Sequence, residues 1–151
     1  MLNPGDKAPV FALSSDTSDV IRLEDLKGRK VVLYFYPKDD TSGCTVEACE
    51  FRDNWAAVKR TGALVLGVSP DGIESHQKFK RKFELQFPLL ADPDHAVAEK
   101  YGAWGEKSMY GRKYFGIKRT TFVIDEEGRI ATVFEKVKPR GHAKEVLEAL
   151  R

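Results

Sequence analysis

Residues 31–55, VVLYFYPKDDTSGCTVEACEFRDNW, constrain the fold more than any other part of the sequence. Val31–Tyr36 is a short apolar run rich in β-branched and aromatic residues, which predicts a strand buried on both faces. Pro37 ends the run, and the polar turn of residues 38–43 offers hydroxyls that can cap a following helix. Cys44 then falls in the first turn of that helix, where unpaired N–H groups and the helix dipole favour a thiolate.

A second cysteine, Cys49, follows on the same predicted helix. With a rise of 1.5 Å per residue, the two Cα atoms lie roughly 8 to 9 Å apart on an intact helix. A disulfide tolerates at most about 7 Å. A bond between Cys44 and Cys49 therefore requires the first one or two turns of the helix to unwind.

The rest of the chain predicts an α/β domain. Ala63–Ser69 is a second buried strand, and apolar residues at helical spacing follow it over Ile73–Phe83, so strands and helices alternate. Crossovers of this kind build a parallel sheet with ligand sites at the carboxyl ends of its strands, where Cys44 lies. The other predicted elements are a hairpin of Pro9–Leu13 and Val20–Leu23, a strand over Phe87–Leu90, a helix over Asp94–Tyr101, a long loop over Gly102–Lys118, a hairpin of Thr120–Asp125 and Arg129–Lys136, and a helix over Gly141–Arg151.

Composition excludes several classes of function. The chain has 151 residues, of which 42% are hydrophobic, and this fits one domain spanning residues 1–151. The net charge is only +2, and the charged residues are interspersed rather than gathered in blocks, which argues against a protein built to hold nucleic acid. No targeting segment or membrane-spanning apolar run is evident, so we expect a cytoplasmic protein. The histidines His76, His95 and His142 lack metal-ligand spacing.

The cysteine motif and four further segments resemble the peroxiredoxins, thiol peroxidases with a thioredoxin-like fold. Pro37, Thr41 and Cys44 stand in a P-x-x-x-T-x-x-C arrangement that is similar to the peroxiredoxin active-site motif. The spacing to Cys49, with Glu47 between, resembles the bacterioferritin-comigratory-protein or PrxQ class. The similarity also takes in residues 3–9, 87–93, 105–111 and 119–122, in the order that the family has them.

The resemblance implies both a fold and a reaction. The fold is a mixed central β-sheet flanked by helices, with an N-terminal β-hairpin. Cys44 attacks hydrogen peroxide or an organic hydroperoxide and becomes a sulfenic acid, and Cys49 resolves it as a disulfide within one molecule. A thioredoxin-type protein then reduces the disulfide. No metal, haem or flavin cofactor is needed, and a monomer is expected, with a dimer also allowed.

Each of the other motif residues has a possible role in the reaction and a simpler structural alternative. The Thr41 hydroxyl can bind the thiolate and a peroxide oxygen, or simply cap the helix. Pro37 can shield the thiolate from water, or only terminate the strand. By the family match Arg119 lies beside the sulfur and favours its ionised form, whereas without that match it is a solvated charge. Glu47 opposes the thiolate unless a cation such as Arg119 pairs with it.

Three other functions remain open at the level of sequence. A thioredoxin-like disulfide reductase shares the strand, cysteine and helix layout, but its expected C-x-x-C is absent. A binding module would use the loop at Gly102–Lys118, with the two cysteines as inert structural residues. A redox-sensing chaperone would expose apolar surface when the helix around Cys44 unwinds.

Overall fold

A five-stranded mixed sheet forms the centre of the computed structural model, which describes residues 2–151. Its strand order is β5-β4-β3-β8-β9, and two separate two-stranded sheets are formed by β1-β2 and β6-β7. The strands are β1 (Ala12–Ser14), β2 (Val20–Arg22), β3 (Val31–Phe35), β4 (Leu64–Ser69), β5 (Leu89–Ala91), β6 (Trp104–Met109), β7 (Arg112–Ile117), β8 (Thr120–Ile124) and β9 (Ile130–Phe134). The helices are α1 (Ser42–Asp53), α2 (Trp55–Arg60), α3 (Ile73–Phe83), α4 (Ala96–Lys100) and α5 (His142–Leu150), with a 3-10 turn at Leu23–Leu26.

The apolar run of β3 is explained by burial on both faces of the sheet. Val32, Tyr34 and Tyr36 point into a core shared with α1, α3 and α5. The intervening residues, such as Leu33 and Phe35, point into a second core that includes α4. Because successive side chains of a strand alternate between the faces, a strand covered on both sides has no polar alternation. The predicted mixed sheet, its flanking helices and the N-terminal β-hairpin are confirmed.

Strand directions bring three chain segments to one edge of the sheet. β3 and β4 are parallel, so their carboxyl ends lie side by side. β8 runs antiparallel to β3 and pairs Thr120 with Phe35, so the start of β8 lies at the end of β3. The turn before α1, the loop before α3 and the residue preceding β8 therefore meet at this edge.

Helix α1 begins without the predicted hydroxyl cap. Thr41 occupies the N-cap position, but its side chain makes no capping hydrogen bond. Its Oγ1 instead donates to the carbonyl oxygen of Lys38 at 2.8 Å, which closes the preceding turn. The expectation that a hydroxyl of residues 38–43 caps the helix is therefore wrong for Thr41, because that donor is used within the turn.

The predicted long loop at Gly102–Lys118 is instead a β-hairpin. β6 and β7 pair in register from Trp104 with Ile117 to Met109 with Arg112. Tyr110 and Gly111 form the two-residue turn, with φ of 52° and 78°, the combination that twists a tight hairpin correctly. β6 contains no buried residue and β7 only Ile117, so the alternation of buried and exposed residues that marks a strand is weak here.

Shorter elements account for the remaining differences. The helix predicted over Asp94–Tyr101 is helical only over Ala96–Lys100, since His95 takes a left-handed conformation with φ of 50°.

Within the described residues, no helix is long and apolar enough to cross a bilayer.

Candidate active site

Cys44 lies in the first turn of α1 and is buried. Its exposed fraction is 1%. Cys44, Ala48 and Phe51 all face the core beside the sheet. The sulfur is therefore shielded from bulk water while remaining near the positive end of α1.

Arg119 reaches the sulfur from the opposite side of the site. It immediately precedes β8, and the antiparallel register of β8 with β3 places it at the end of β3, where α1 begins. Its Nη2 donates a hydrogen bond to Cys44 Sγ at 3.0 Å. The guanidinium therefore places a positive charge and an N–H donor directly beside the sulfur.

Glu47 shares the same guanidinium. Arg119 Nη1 donates to Glu47 Oε1 at 3.0 Å, so Arg119 bridges the cysteine and the carboxyl group. Glu47 Oε2 is buried without a hydrogen-bond partner among residues 2–151. Burial raises the pKa of Glu47 to about 7, and the charge and hydrogen bond of Arg119 oppose the rise. The pairing of Glu47 with Arg119 that the sequence suggested is thus present, and it limits the repulsion between Glu47 and the thiolate.

Gly43 makes room for the guanidinium, and the sequence analysis did not single it out. A Cβ at this position would lie 2.9 Å from Arg119 Nη2 and 3.3 Å from Pro139 Cγ. A contact of 2.9 Å is shorter than real Cβ atoms make, so an added Cβ would push the guanidinium away from its place beside the first turn of α1. The signal in the sequence is a glycine directly before the cysteine, at the end of the polar turn of residues 38–43.

Thr41 and Pro37 lie on the segment that leads into the site. Both are half-buried. The Thr41 hydroxyl donates to the Lys38 carbonyl oxygen, and the hydrogen bond that joins Cys44 to a side chain within residues 2–151 comes from Arg119. The predicted contact of the Thr41 hydroxyl with the thiolate is therefore not formed in this state, because the hydroxyl is engaged in the turn.

Cys49 lies on the same helix but in a different environment. Both cysteines are free, and Cys49 is half-buried. Burial raises the pKa of Cys49, and nearby Arg52 opposes the rise. Since α1 is continuous from Ser42 to Asp53, the two thiols are separated as the helical geometry requires, and the structure corresponds to a reduced state.

A cavity opens beside Arg119 at the foot of the β6–β7 hairpin. Its volume is about 570 Å³, and Lys107, Lys118 and Arg119 are among its lining residues. Burial lowers the pKa of Lys107, and Arg119 lowers it further, whereas Cys44 raises it. The β6–β7 hairpin, which the sequence predicted as a loop, therefore places Lys107 close enough to Arg119 and Cys44 for their charges to interact.

These features define a class of site. A buried cysteine at a helix N-terminus, hydrogen-bonded to an arginine, is positioned to act as a nucleophile. The arginine supplies N–H donors beside the sulfur, where an attacked oxygen atom would develop charge. The fold and the site together are those of a thiol-dependent enzyme with a thioredoxin-like fold.

Comparisons with known proteins agree with this class. Residues 4–133 match the AhpC/TSA family. A putative peroxiredoxin bcp of Coxiella burnetii is 54% identical over 146 residues, covering 97% of each chain. The crystal structure of a PrxQ cysteine-to-serine mutant from Xylella fastidiosa gives a TM-score of 0.93 at 37% identity, covering 99% of this chain and 96% of that one. The bacterioferritin comigratory protein of Xanthomonas campestris gives a TM-score of 0.88 at 39% identity, covering 93% and 89%.

The chain therefore belongs to the AhpC/TSA family, in which it is a peroxiredoxin of the Bcp or PrxQ class. Its activity is that of a thiol-dependent peroxidase, an oxidoreductase. The resemblance stated from the sequence is thus confirmed, as is the thioredoxin-like fold that it implied.

Proposed function

We propose that the chain reduces hydrogen peroxide and organic hydroperoxides, with Cys44 as the attacking thiolate and Cys49 as the resolving thiol. The observation that carries the proposal is the 3.0 Å hydrogen bond from Arg119 Nη2 to Cys44 Sγ. Of the two cysteines, Cys44 combines a helix N-terminus with a guanidinium, whereas burial raises the pKa of Cys49. The two thiols are therefore suited to different steps.

In the first step the Cys44 thiolate attacks one oxygen of the hydroperoxide. A sulfur–oxygen bond forms, the O–O bond breaks, and Cys44 becomes a sulfenic acid. The second oxygen leaves as an alkoxide or hydroxide and takes up a proton to give an alcohol or water. Arg119 stabilises the thiolate before attack and the charge on the oxygens during it. Pro37 and Thr41, on the segment entering the site, are proposed to shield and line it.

In the second step Cys49 resolves the sulfenic acid. Its sulfur attacks Cys44 Sγ, a disulfide forms, and the sulfenic oxygen leaves as water. A thioredoxin-type dithiol then reduces the disulfide by thiol–disulfide exchange and is itself oxidised. Because α1 is continuous over Ser42–Asp53 in the reduced protein, its first turns must open before the two sulfurs can meet.

The setting of the reaction follows from its chemistry. The solved structure from Xanthomonas campestris is described in terms of alkyl peroxide reduction, which supports organic hydroperoxides as substrates here. A reducing cytoplasm would keep both thiols available for the cycle. The chain is proposed to act as a single domain and as a monomer, since both thiols of the cycle lie on one helix.

The test is one turnover of the reduced protein with one equivalent of hydrogen peroxide at neutral pH. We expect a second-order rate far above that of an unstructured cysteine peptide, and an intact mass lower by two hydrogen atoms. C49S should react at the wild-type rate but gain oxygen on Cys44, and C44S should not react. A wild-type rate no faster than the peptide, with both thiols surviving, would contradict the proposal.

A further inference from the structure

The turn that leads into α1 carries a buried carboxylate. Asp39 lies two residues after Pro37, and its side chain is only 3% exposed. Oδ1 accepts a hydrogen bond from the Tyr36 hydroxyl at 2.6 Å, and Oδ2 accepts one from Ser75 Oγ at 2.8 Å. Buried carboxylates are costly unless they are paired with a cation, so Asp39 needs a positive partner.

His76, on α3, is that partner. Its side chain is fully buried, and its Nδ1 lies 2.7 Å from Asp39 Oδ2. Its other nitrogen, Nε2, lies 2.9 Å from the carbonyl oxygen of Leu90 in β5. Both ring nitrogens therefore face oxygen atoms, and neither faces a donor.

Hydrogen-bond chemistry then fixes where the protons are. A carbonyl oxygen only accepts, so Nε2 must carry a proton. Both oxygens of Asp39 already accept hydrogen bonds from hydroxyl groups, which favours the carboxylate over the acid. The proton between Asp39 and His76 accordingly belongs to Nδ1, and the ring is an imidazolium.

The same turn is held by its main chain. The Asp39 N–H donates to Asp71 Oδ2 at 2.8 Å, and Ser69 Oγ donates to the same oxygen at 2.6 Å. Asp71 follows β4, so the turn is bound to the loop at the end of the neighbouring strand. The other charged groups near Asp39 line an adjacent cavity: Asp40, Glu74, Lys78 and Lys82.

The cluster of Asp39, Asp71 and His76 is better explained as a hydrogen-bonded network that holds the turn than as a metal site. Asp39, Asp71 and His76 offer ligand atoms within 4.8 Å of one another, a grouping that sequence spacing did not indicate. Each of these atoms is already engaged in a hydrogen bond of 2.6 to 2.8 Å. A divalent cation would have to displace the proton of Nδ1 and break the bonds that hold the turn.

We propose that His76, as an imidazolium, is a positioning residue for the peroxide reaction: by binding Asp39 it fixes the turn that places Thr41 and Cys44 beneath Arg119. The proposal rests on the peroxidase function proposed above. His76 acts through Asp39 and does not touch the substrate. The contact that matters is the one made by Nδ1, whereas the bond from Nε2 to Leu90 only orients the ring.

A matched pair of variants separates the two ring nitrogens. Asparagine places an amide nitrogen near the position of Nδ1, and glutamine places one near Nε2. We expect H76N to keep the second-order rate with hydrogen peroxide within about fivefold of wild type. H76Q loses the donor to Asp39, and we expect its rate to fall by up to about 100-fold. K82Q is the control on the same turn, because it removes an exposed ion pair with Asp40 and should change the rate by less than about twofold.

Urea unfolding gives the free energy of unfolding of each variant, so that an effect of His76 on the rate can be separated from an effect on the stability of the fold. The ratio of the H76N and H76Q rates is first converted to a difference in activation free energy. The proposal is supported if that difference is larger than the difference between the two free energies of unfolding. Equal rates in the two variants, or rates that follow stability alone, would overturn it. The wild-type rate decides separately whether the peroxidase function holds, since it involves no variant.

Nitrogen NMR of the histidine rings tests the charge directly. In the reduced wild-type protein at neutral pH, both nitrogens of His76 should carry protons. A neutral ring with one unprotonated nitrogen would contradict the imidazolium. A stoichiometric divalent cation in the purified protein that is lost in H76N would instead show that the cluster is a metal site.

Discussion

Replacing Glu47 by glutamine tests the electrostatic account of the site most directly. The carboxyl group is 1% exposed, one oxygen accepts a hydrogen bond from Arg119, and the other is buried without a partner in residues 2–151. Burial raises the pKa of Glu47 from 4.5 to about 7, with Arg119 opposing. Glutamine has nearly the same shape and can still accept from Arg119, but it does not titrate.

The raised pKa of Glu47 makes the folded protein less stable as the pH rises. Below pH 4.5 the carboxyl group is protonated in both the folded and the unfolded chain. Between that pH and about 7, the unfolded chain loses the proton while the folded protein keeps it, so the free energy of unfolding falls as pH rises. One pKa unit corresponds to about 1.4 kcal/mol, so the whole window is worth about 3 kcal/mol. E47Q should lack this decline.

The measurement is urea unfolding of the reduced protein at several pH values from 4 to 8. Relative to wild type, E47Q should gain about 3 kcal/mol in the free energy of unfolding across the window, because all other titrating groups cancel in the difference. E148Q makes the same chemical change at an exposed position of α5 and should run parallel to wild type. A constant difference between E47Q and wild type over the whole range would refute the raised pKa.

Two further variants test how Arg119 reaches the sulfur. R119M removes the donor that lies 3.0 Å from Cys44 Sγ, and we expect the second-order rate with hydrogen peroxide to fall by about 100-fold or more; an unchanged rate would show that the hydrogen bond has no role. G43A should lower the same rate by about tenfold, since its Cβ would lie 2.9 Å from Arg119 Nη2. G72A, whose Cβ would meet nothing within 4 Å, is the control, and equal rates in G43A and G72A would contradict the close approach.

Local pattern was enough to predict the strand and helix around Cys44. An apolar run, a proline and a polar turn are all properties of neighbouring residues, and the fold class follows from the alternation of predicted strands and helices along the chain. The β6–β7 hairpin escaped prediction because its faces are mostly exposed and its turn is Tyr110-Gly111 rather than the usual asparagine-glycine.

The partners of Cys44 could not be derived from local pattern. Arg119 meets the sulfur only because β8 pairs antiparallel with β3 in one register, and the sequence analysis placed it there by resemblance alone. The contact of His76 with Asp39 likewise depends on β3 and β4 being parallel neighbours, which an isolated histidine in the sequence does not reveal. Such contacts arise from tertiary packing, which periodicity does not encode.

The anchoring of α1 determines where it can open to form a disulfide. On the N-terminal side, Asp39 is bound to α3 and to the loop after β4. On the C-terminal side, Phe51 is fully buried and stacks on Tyr34 with ring centroids 5.1 Å apart. Between these anchors, the guanidinium of Arg119 hydrogen-bonds both Cys44 and Glu47, and farther along the helix Glu50 Oε1 accepts a hydrogen bond from the Gly141 N–H at 2.8 Å. Once peroxide converts the thiolate to a sulfenic acid, the charge that binds Arg119 to the sulfur is lost, so we expect the helix to open between Asp39 and Phe51 only after the sulfur has reacted.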